Sequence, residues 1–372
     1  MKLVAQVKLL ASREQAAWLE QTLHQANAAC NFLAAIAWEE QVFERYPLHK
    51  LAYARTRVAF PALAAQVVVR CIARVADAYQ ANRQHCCHFA ARGAIAYDAR
   101  ILRWYPEQAL VSLWACGGRL HLRFACGERQ RPLLQTQRGE SDLVYRDGVF
   151  YLYATCEVVE PPSGEWADVL GLDLGLVALA VDSDGEVYSG AAVERQRRIH
   201  AHRRRNLQRK GTKAAKRKLR RLAGKQARFQ RDTNHCIAKR VVRKAQGTKR
   251  AIAVEDLTGI RARTTVSRRQ RARHANWSFY QLRQFVTYKA RRVGVAVIAV
   301  DPRYTSQTCP VCGYVARANR RTQALFSCMA CGYSAPADHN AARNIRARAL
   351  VNGPLVSTLR LGEGQAPPLA AG

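Results

Sequence analysis

Acidic residues are scarce in this chain relative to basic ones. Its 372 residues include 27 Asp and Glu against 60 Lys and Arg, which gives a formal net charge of +33. So many positive charges repel one another unless a polyanion binds them. The composition therefore disfavours an enzyme of small metabolites and favours a nucleic-acid partner. An anionic membrane surface is the alternative partner for such a charge.

Long apolar runs and a secretion signal are also missing. No stretch reaches the ~18 consecutive apolar residues of a membrane-spanning helix. The N-terminal segment MKLVAQVKLLAS has lysines inside its short apolar run, which is not the layout of a signal peptide. We therefore expect no membrane partner and a cytoplasmic location.

A disulfide framework is absent, although the chain has twelve cysteines. Eight of them lack the spacing of a disulfide scaffold, so we expect reduced and mostly buried thiols. The other four form two Cys-x2-Cys pairs across a fifteen-residue gap, a spacing that suits one tetrahedral Zn²⁺. Since four thiolates fill the coordination sphere, this zinc is expected to be structural. The four predicted ligands are Cys309, Cys312, Cys328 and Cys331.

The first half of the chain is predicted to combine a β unit with inserted helices. A strand at Leu3–Leu10 precedes Ser12, which forms a capping box with Gln15 at the start of a long helix, and Pro61 is expected to open another helix. From about residue 94 to 159, short alternating strands with a turn at Asp147-Gly148 predict a compact antiparallel sheet.

The second half alternates strands with helices. This alternation predicts an α/β sheet of RNase H-like type. The strands are expected at Val169–Asp173, Leu176–Val181, near Val187, at Ala251–Glu255 and at Val295–Val300, with a helix over Trp277–Arg292 before the last of them. Beyond about Val351 the tail is rich in Gly, Pro and Ala and is expected to be disordered.

Three carboxylates stand out in this half. Asp173 lies among apolar residues at a strand end, Glu255 ends the strand AIAVE, and Asp338 follows the second cysteine pair. Each alone is explained as a solvated or capping residue, and Asp338 suits a helix N-terminus. An unpaired carboxylate in a buried strand is costly, however, and Gly171 and Gly175 leave the backbone open to a ligand.

Three convergent carboxylates can hold two divalent cations for in-line phosphodiester hydrolysis. Mg²⁺ fits because it prefers oxygen ligands and retains waters. No Ser-His-Asp, Cys-His or phosphate-binding P-loop pattern competes with this interpretation. Asp256, next to Glu255, should point to the opposite side of its strand and is left out of the site.

Residues 195–250 form a basic segment with 23 Lys or Arg and one acid, Asp232. A solvated helical face or a disordered tail is the simplest explanation of such a run. Spaced apolar residues within it favour packed helices that follow a nucleic-acid backbone. His235 in this segment is assigned no catalytic role.

Four segments, in this order, resemble the TnpB family of transposon-associated proteins, relatives of the type V CRISPR effectors. They are GLDLGLVALAVDSDG, AIAVEDLTGI, NWSFYQLRQFVTYKARRVGVAVIAVDPRYTSQTCPVCG and ADHNAARNI. The resemblance implies an RNA-guided DNA endonuclease with a single RuvC-like site. It makes Asp173, Glu255 and Asp338 the Mg²⁺-binding carboxylates and the four cysteines the zinc ligands of a target-nucleic-acid-binding insertion.

The resemblance also implies partners and a domain order. The partners are a guide RNA from the transposon end and a double-stranded DNA target, with an arginine of the zinc region, Arg320 or Arg321, near the scissile phosphate. The fold class is a multidomain α+β protein with a β-barrel-like wedge and an inserted helical recognition segment, followed by an RNase H-like (RuvC) domain with a zinc-ribbon insertion. The expected ranges are 1–10 and 86–160 for the wedge, 11–85 for the recognition helices, 166–302 and 334–350 for the nuclease domain, 303–333 for the zinc ribbon and 351–372 for a disordered tail.

Three other functions remain open from the sequence. A nuclease-inactive RNA-guided repressor would bind DNA without cutting it. A transposase proper can carry a similar acidic triad. A zinc-ribbon DNA-binding protein would leave the three carboxylates unexplained.

Overall fold

The computed structural model describes residues 1–175, 177–257 and 279–351. The chain divides into two compact units, Met1–Val159 and Glu160–Gly372, and both contain helices and strands. The predicted α+β class is therefore confirmed. Leu176, the predicted helix start at Trp277 and the predicted disordered tail from residue 352 onward lie outside the described residues.

The first unit consists of an antiparallel sheet with a helical insertion after its first strand. Its elements are β1 (Lys2–Leu10), α1 (Arg13–Glu39), α2 (Arg45–Ala59), α3 (Ala65–Ala81), β2 (Ile95–Tyr97), β3 (Leu102–Tyr105), β4 (Leu110–Ala115), β5 (Gly118–Ala125), α4 (Arg131–Gln135), β6 (Gln137–Arg146) and β7 (Val149–Glu157).

This seven-stranded sheet has the order β2-β6-β7-β1-β5-β4-β3, and it nearly closes into a barrel. Side chains connect strands near its two ends. Tyr97 Oη donates to the carbonyl of Trp114 at 2.9 Å, and Trp104 Nε1 donates to Ser141 Oγ at 3.2 Å. The barrel-like sheet expected in this half is therefore present, with the N-terminal strand paired between β7 and β5.

Local sequence signals explain most element boundaries in this unit. The predicted capping box of Ser12 and Gln15 begins α1. Asp147 and Gly148 have φ of 50° and 83°, the left-handed pair needed for a two-residue hairpin turn between β6 and β7. The expectation for Pro61 is wrong: α3 begins at Ala65, and Pro61 lies in the turn after α2, where its missing N–H interrupts no helical hydrogen bond.

The second unit contains a mixed sheet, a pair of long basic helices and a small two-stranded sheet. Its elements are β8 (Asp168–Asp173), β9 (Ala178–Asp182), β10 (Val187–Ser189), α5 (Ala191–Lys210), α6 (Lys213–Gly247), β11 (Arg250–Glu255), α7 (Phe279–Arg291), β12 (Val297–Val300), β13 (Leu325–Ser327), β14 (Ser334–Pro336) and α8 (Ala337–Val351). The strands predicted from alternation agree with these bounds to within about two residues.

The main sheet of this unit has the order β10-β9-β8-β11-β12. Strands β8, β11 and β12 are parallel, while β8, β9 and β10 pair antiparallel. Leu170, Leu172, Ile252 and Val254 face α6 and α7. On the opposite face, Val169, Ala251 and Ala253 pack with Ile345 and Ala349 of α8. Helices therefore cover both faces of the sheet, and β8 and β11 lie at its centre.

Helix α8 approaches strand β8 closely at Gly171. A Cβ added there would lie 2.1 Å from the carbonyl oxygen of Ala342 and 2.7 Å from the amide nitrogen of Arg346. A Cβ on Gly175 would lie 2.7 Å from the carbonyl oxygen of Ala178. The expectation that these glycines admit a ligand is therefore wrong, because the backbone of the protein itself occupies the space beside both.

The basic segment folds as a helical hairpin. Gly211, in the left-handed conformation at φ 63°, ends α5, and Thr212 accepts a hydrogen bond from the amide of Ala215 at the start of α6. His200 is the buried residue of α5. His235 stacks on Phe285 of α7 with ring centroids 3.8 Å apart, which agrees with a packing role. Within the described ranges, no helix has the length and apolar character needed to cross a bilayer.

The contact at Gly171 makes a stability prediction. Gly171→Ala should lower the unfolding free energy by about 1–3 kcal/mol, because the new methyl group displaces α8 from the sheet. Gly247→Ala is the control, since a Cβ there meets nothing within 4 Å, and it should be neutral or stabilising by up to ~1 kcal/mol. Denaturant unfolding of both variants measures the difference, and equal stability would contradict the packing argument.

Candidate active site and zinc module

Asp173 and Glu255 end two neighbouring parallel strands. The last paired residues of β8 and β11 are Leu172 and Val254, so the two carboxylates occupy the next position on each strand. Side chains alternate along a strand, and Leu172 and Val254 face α6 and α7. Asp173 and Glu255 therefore both point to the side of the sheet that α8 covers.

Asp338 lies in the first turn of α8, on that same side. Each of the other two acids contributes to the electrostatics of Asp173. Burial, then the charge of Glu255, then that of Asp338 raise the pKa of Asp173 to about 8. The three residues are far apart in sequence, and the packing of α8 on β8 at Gly171 brings the third to the other two.

The remaining carboxyls are also shifted. Burial raises the pKa of Glu255, against the hydrogen bond from Thr305, and burial raises the pKa of Asp338, against the charge of Arg320. Among the described residues, the four cysteines are the only group of three or more His, Cys, Asp or Glu residues whose ligand atoms all lie within 4.8 Å of one another. Glu255 and Asp338 thus act electrostatically on Asp173, although the oxygens of the three acids do not all lie within 4.8 Å of one another.

Two further side chains belong to this region. Thr305 is 2% exposed, and its Oγ1 donates to Glu255 Oε1 at 2.5 Å, which fixes the carboxylate. Arg320 Nη2 lies 3.7 Å from Asp338 Oδ1, whereas Arg321 Nη2 is 4.0 Å from the sulfur of Met329. Of the two arginines that the sequence left open, Arg320 is the one beside an acid of the site. Thr305 was not predicted from the sequence, because a single threonine in a loop belongs to no recognisable motif or periodic pattern.

Asp256 faces away from the site. Arg283 Nη1 of α7 donates to its Oδ1 at 2.7 Å, on the opposite side of the sheet from α8. The predicted alternation between Glu255 and Asp256 is confirmed. The pair provides two adjacent acids with different surroundings, one buried beside Asp173 and one in a half-exposed ion pair.

The four cysteine sulfurs converge as the spacing predicts. Tetrahedral Zn–S bonds of about 2.3 Å place the sulfurs roughly 3.8 Å apart. Here the Cys309–Cys331 and Cys312–Cys328 sulfur pairs are each 3.6 Å apart, and all four sulfurs lie within 4.8 Å of one another. The donor set and its geometry fit a zinc ribbon.

The two cysteine pairs form matching turns. The amides of Gly313 and Gly332 donate to the carbonyls of Cys309 and Cys328 at 3.0 and 3.1 Å, and both glycines have φ near 73°, which a residue with a side chain rarely adopts. Buried Asn319 joins the turns. Its amide nitrogen donates to the carbonyl of Tyr314 at 3.2 Å, and its oxygen accepts from the amide of Met329 at 3.0 Å.

Helix α8 is hydrogen-bonded to the chain that enters the zinc module. Asn344 Nδ2 donates to the carbonyls of Thr305 and Thr308 at 2.8 and 2.7 Å. Asn340, one helical turn earlier, donates to the carbonyl of Thr308 at 3.2 Å. The i, i+4 spacing of the two asparagines places them on one helix face. The module and the helix carrying Asp338 are therefore held in one arrangement.

The raised pKa of Asp173 predicts a pH-dependent stability in magnesium-free protein. An acid with a higher pKa in the folded state binds more protons when folded, so stability falls as pH rises from about 4 to about 8. Asp173→Asn should remove this loss and raise the melting temperature at pH 8 by roughly 2–4 °C per kcal/mol gained. Melting curves at pH 5 and pH 8, in chelator-free buffer that retains zinc, measure it. Equal pH dependence in the two proteins would refute the prediction.

The zinc module leads to a prediction for the zinc content of two matched cysteine variants. Cys312→Ser should lose bound zinc and lower the melting temperature, because a structural zinc contributes directly to folding. Cys236, also exposed but outside the cluster, provides the control Cys236→Ser, which should retain zinc. Metal analysis of the purified proteins gives the result, and zinc retained at the wild-type level in Cys312→Ser would exclude Cys312 as a ligand.

Family models match two parts of the chain. Residues 153–261 match the model described as "Probable transposase", and residues 279–345 match the "Cas12f1-like, TNB domain". The second match contains the four cysteines, Thr305, Arg320 and Asp338, and the first contains Asp173 and Glu255.

Curated relatives agree with these models. The chain is 37% identical over 197 residues to the CRISPR-associated endodeoxyribonuclease Cas12f1 of Sulfoacidibacillus thermotolerans, covering 48% of this chain and 44% of that protein. It is 35% identical over 208 residues to the putative RNA-guided DNA endonuclease InsQ of Escherichia coli, covering 51% of each. The chain spans about half the length, or less, of these two relatives.

A solved structure shares the fold. The Cas12f1–sgRNA–target DNA complex contains a chain that matches with a TM-score of 0.60 at 15% identity, covering 90% of this chain and 83% of that one. At this identity the match supports the fold alone. Together with the two family models, these relatives confirm the resemblance found in the sequence: the chain is a relative of the TnpB and Cas12f proteins.

Proposed function

We propose that this protein is an RNA-guided DNA endonuclease that hydrolyses phosphodiester bonds at a single RuvC-like site. The observation that carries the proposal is the placement of Asp173, Glu255 and Asp338 on one side of one sheet, each in a segment that the family models cover. The names of the relatives, which describe RNA-guided or CRISPR-associated DNA endonucleases, supply the reaction class and the partners.

Asp173, Glu255 and Asp338 would hold Mg²⁺, two ions in the arrangement proposed from the sequence. The fit rests on burial and charge. Burial raises the pKa of all three acids, and the charges of Glu255 and Asp338 raise that of Asp173 further, while Arg320 Nη2 lies 3.7 Å from Asp338 Oδ1. Oxygen ligands of this kind are those that Mg²⁺ prefers. When bound, such ions supply an activated water and stabilisation of the leaving 3′ oxygen.

The other side chains of the site have positioning roles in this proposal. Thr305 holds the Glu255 carboxylate in one orientation through its hydrogen bond. Arg320, about one-third exposed beside Asp338, can donate to a non-bridging oxygen of the scissile phosphate and offset its charge as the fifth bond to phosphorus forms.

Nucleic-acid binding would involve several parts of the chain. Helices α5 and α6 carry most of the 23 basic residues of the 195–250 segment, and such a surface suits the backbone of an RNA–DNA duplex, which base pairing rather than protein specifies. We assign residues 1–10 and 86–160 to a wedge region and residues 11–85 to a recognition region. The nuclease domain comprises 166–302 and 334–350, and the zinc ribbon 303–333. The guide RNA would come from the transposon end.

The test uses the full chain expressed with its native locus. RNA that co-purifies is sequenced, and a plasmid with a matching target is incubated with the complex and Mg²⁺. Wild type should cut the target, and Asp173→Asn, Glu255→Gln and Asp338→Asn should each lower the cleavage rate by about 10³-fold or more, since each removes a ligand of the metal site.

Asp256→Asn is the matched control, because Asp256 is the adjacent acid on the other face of the sheet. Its cleavage rate should stay within several-fold of wild type. Guided binding without cutting by wild type would favour the repressor function. Cutting that survives Asp173→Asn, or a preparation without bound RNA, would refute the proposal.

A further inference from the structure

A concave site lies near Glu255, at the edge of the same sheet. A cavity of about 340 Å³ opens at the carboxyl end of β12 and is lined by Asp301, Arg303, Tyr304 and Arg348. Strand β12 pairs with β11 so that Val300 is the register partner of Glu255, and Asp301 is the next residue. The cavity therefore adjoins the edge of the sheet at which Glu255 ends its strand.

Tyr304 is held in an unusual backbone conformation. Its φ is 63°, a left-handed value that is a genuine outlier for a bulky residue and strains the backbone. The surrounding turn maintains it, since the Tyr304 carbonyl accepts hydrogen bonds from the amides of Gln307 and Thr308 at 2.9 and 3.0 Å and from Thr308 Oγ1 at 2.8 Å. The tyrosine side chain is nevertheless 59% exposed.

A structural turn alone does not account for this residue. Glycine or asparagine fits a left-handed position with little strain, and an exposed ring contributes little to a core. Tyr304 and the next residue have different surroundings. The Thr305 hydroxyl donates to Glu255 inside the protein, while Tyr304 lines the cavity.

Two guanidinium groups line the same cavity, and Asp301 orients both. Arg303 Nε donates to Asp301 Oδ2 at 2.7 Å, and Arg348 Nη1 donates to the Asp301 carbonyl at 2.7 Å. The Arg303 side chain is 80% exposed. The lining is one tyrosine, two arginines and Asp301, whose carboxylate pairs with Arg303. The two arginines leave a net positive charge beside an exposed aromatic residue, the combination that binds single-stranded nucleic acid without reading its sequence.

We propose that this cavity binds one nucleotide of the single DNA strand that leads to the acidic site, with its base stacked on Tyr304 and its phosphate against Arg303 and Arg348. The proposal rests on the proposed nuclease function for the identity of the strand. Because Tyr304 and Thr305 are adjacent, a nucleotide stacked here would fix the backbone of the strand relative to Glu255. Tyr304 is accordingly a positioning residue.

The test is photocrosslinking in magnesium-free buffer, so that its outcome does not depend on cutting. The purified full-length protein, with its bound RNA, is irradiated with a short oligothymidine strand carrying one 5-iodouracil, and the adduct is located by mass spectrometry. The adduct should map to Tyr304 in wild type and in Asp173→Asn. It should be lost in Tyr304→Gly, a substitution that also relieves the backbone strain and so should not lower the melting temperature.

DNA-binding affinity and cleavage rate test the role of Tyr304 independently of the crosslinking. Tyr304→Gly should bind the strand about tenfold more weakly, and Tyr304→Phe should bind it about as well as wild type, because stacking needs the ring and not the hydroxyl. Tyr280→Ala, which removes another exposed tyrosine, in α7 on the opposite face of the sheet from α8, is the control and should leave affinity unchanged. Guided cleavage by Tyr304→Gly should show a lower maximal rate with the metal dependence of wild type.

Adducts that map elsewhere, or Tyr304→Gly that binds and cuts as wild type does, would overturn the proposal. If the wild-type protein crosslinks at Tyr304 but never cuts, the proposed nuclease function is refuted and the proposed nucleotide site is retained. Cleavage that needs all three carboxylates but is insensitive to Tyr304→Gly would support the nuclease function and refute the nucleotide site.

Discussion

Helix α8 can rest directly on strand β8 because residue 171 has no side chain. Its backbone then lies so close to the strand that a single added carbon would come within 2.1 Å of a carbonyl oxygen. Everything at the acidic edge depends on this contact. It sets the height of the first helical turn above the sheet, and with it the position of Asp338 relative to Asp173 and Glu255. Through Asn340 and Asn344, it also sets the position of the chain that enters the zinc module.

Acids of this sheet have opposite electrostatic surroundings on its two faces. On the face that α6 covers, Asp182 is fully buried, yet Lys244 Nζ lies 2.6 Å from its carboxylate. Nearby, Arg250 and Lys244 hold the pKa of Asp184 well below its usual range. On the face that α8 covers, at the end where β11 finishes, Asp173, Glu255 and Asp338 have raised pKa values instead. A protein so rich in basic residues could have neutralised these acids as well. At this edge, basic side chains compensate Asp173 less than they compensate Asp184.

Much of this arrangement could be read from the sequence. Alternation and turn residues gave the strands, Cys-x2-Cys spacing gave the sulfur cluster, and the alternation rule separated Glu255 from Asp256. Contacts between distant segments could not be obtained in this way. The two glycines were assigned to a ligand because the sequence does not show that α8, about 170 residues later, packs on Gly171, nor that the carbonyl of Ala178 lies beside Gly175. The contacts of Thr305, Asn319 and Tyr304 depend on the conformation of loops. Loop residues follow no periodic pattern, so these contacts could not be predicted from the sequence.

The zinc module lies in the connection between β12 and α8, and this position affects the entropy and the rate of folding. Without internal structure, the long chain between these elements would have to close as a flexible loop before α8 could dock, and that closure costs more entropy as the loop lengthens. A metal-clamped module shortens the effective loop, since its entry and exit are fixed relative to each other before docking. The cysteine cluster therefore restrains this connection and, with it, the position of Asp338 relative to Asp173 and Glu255.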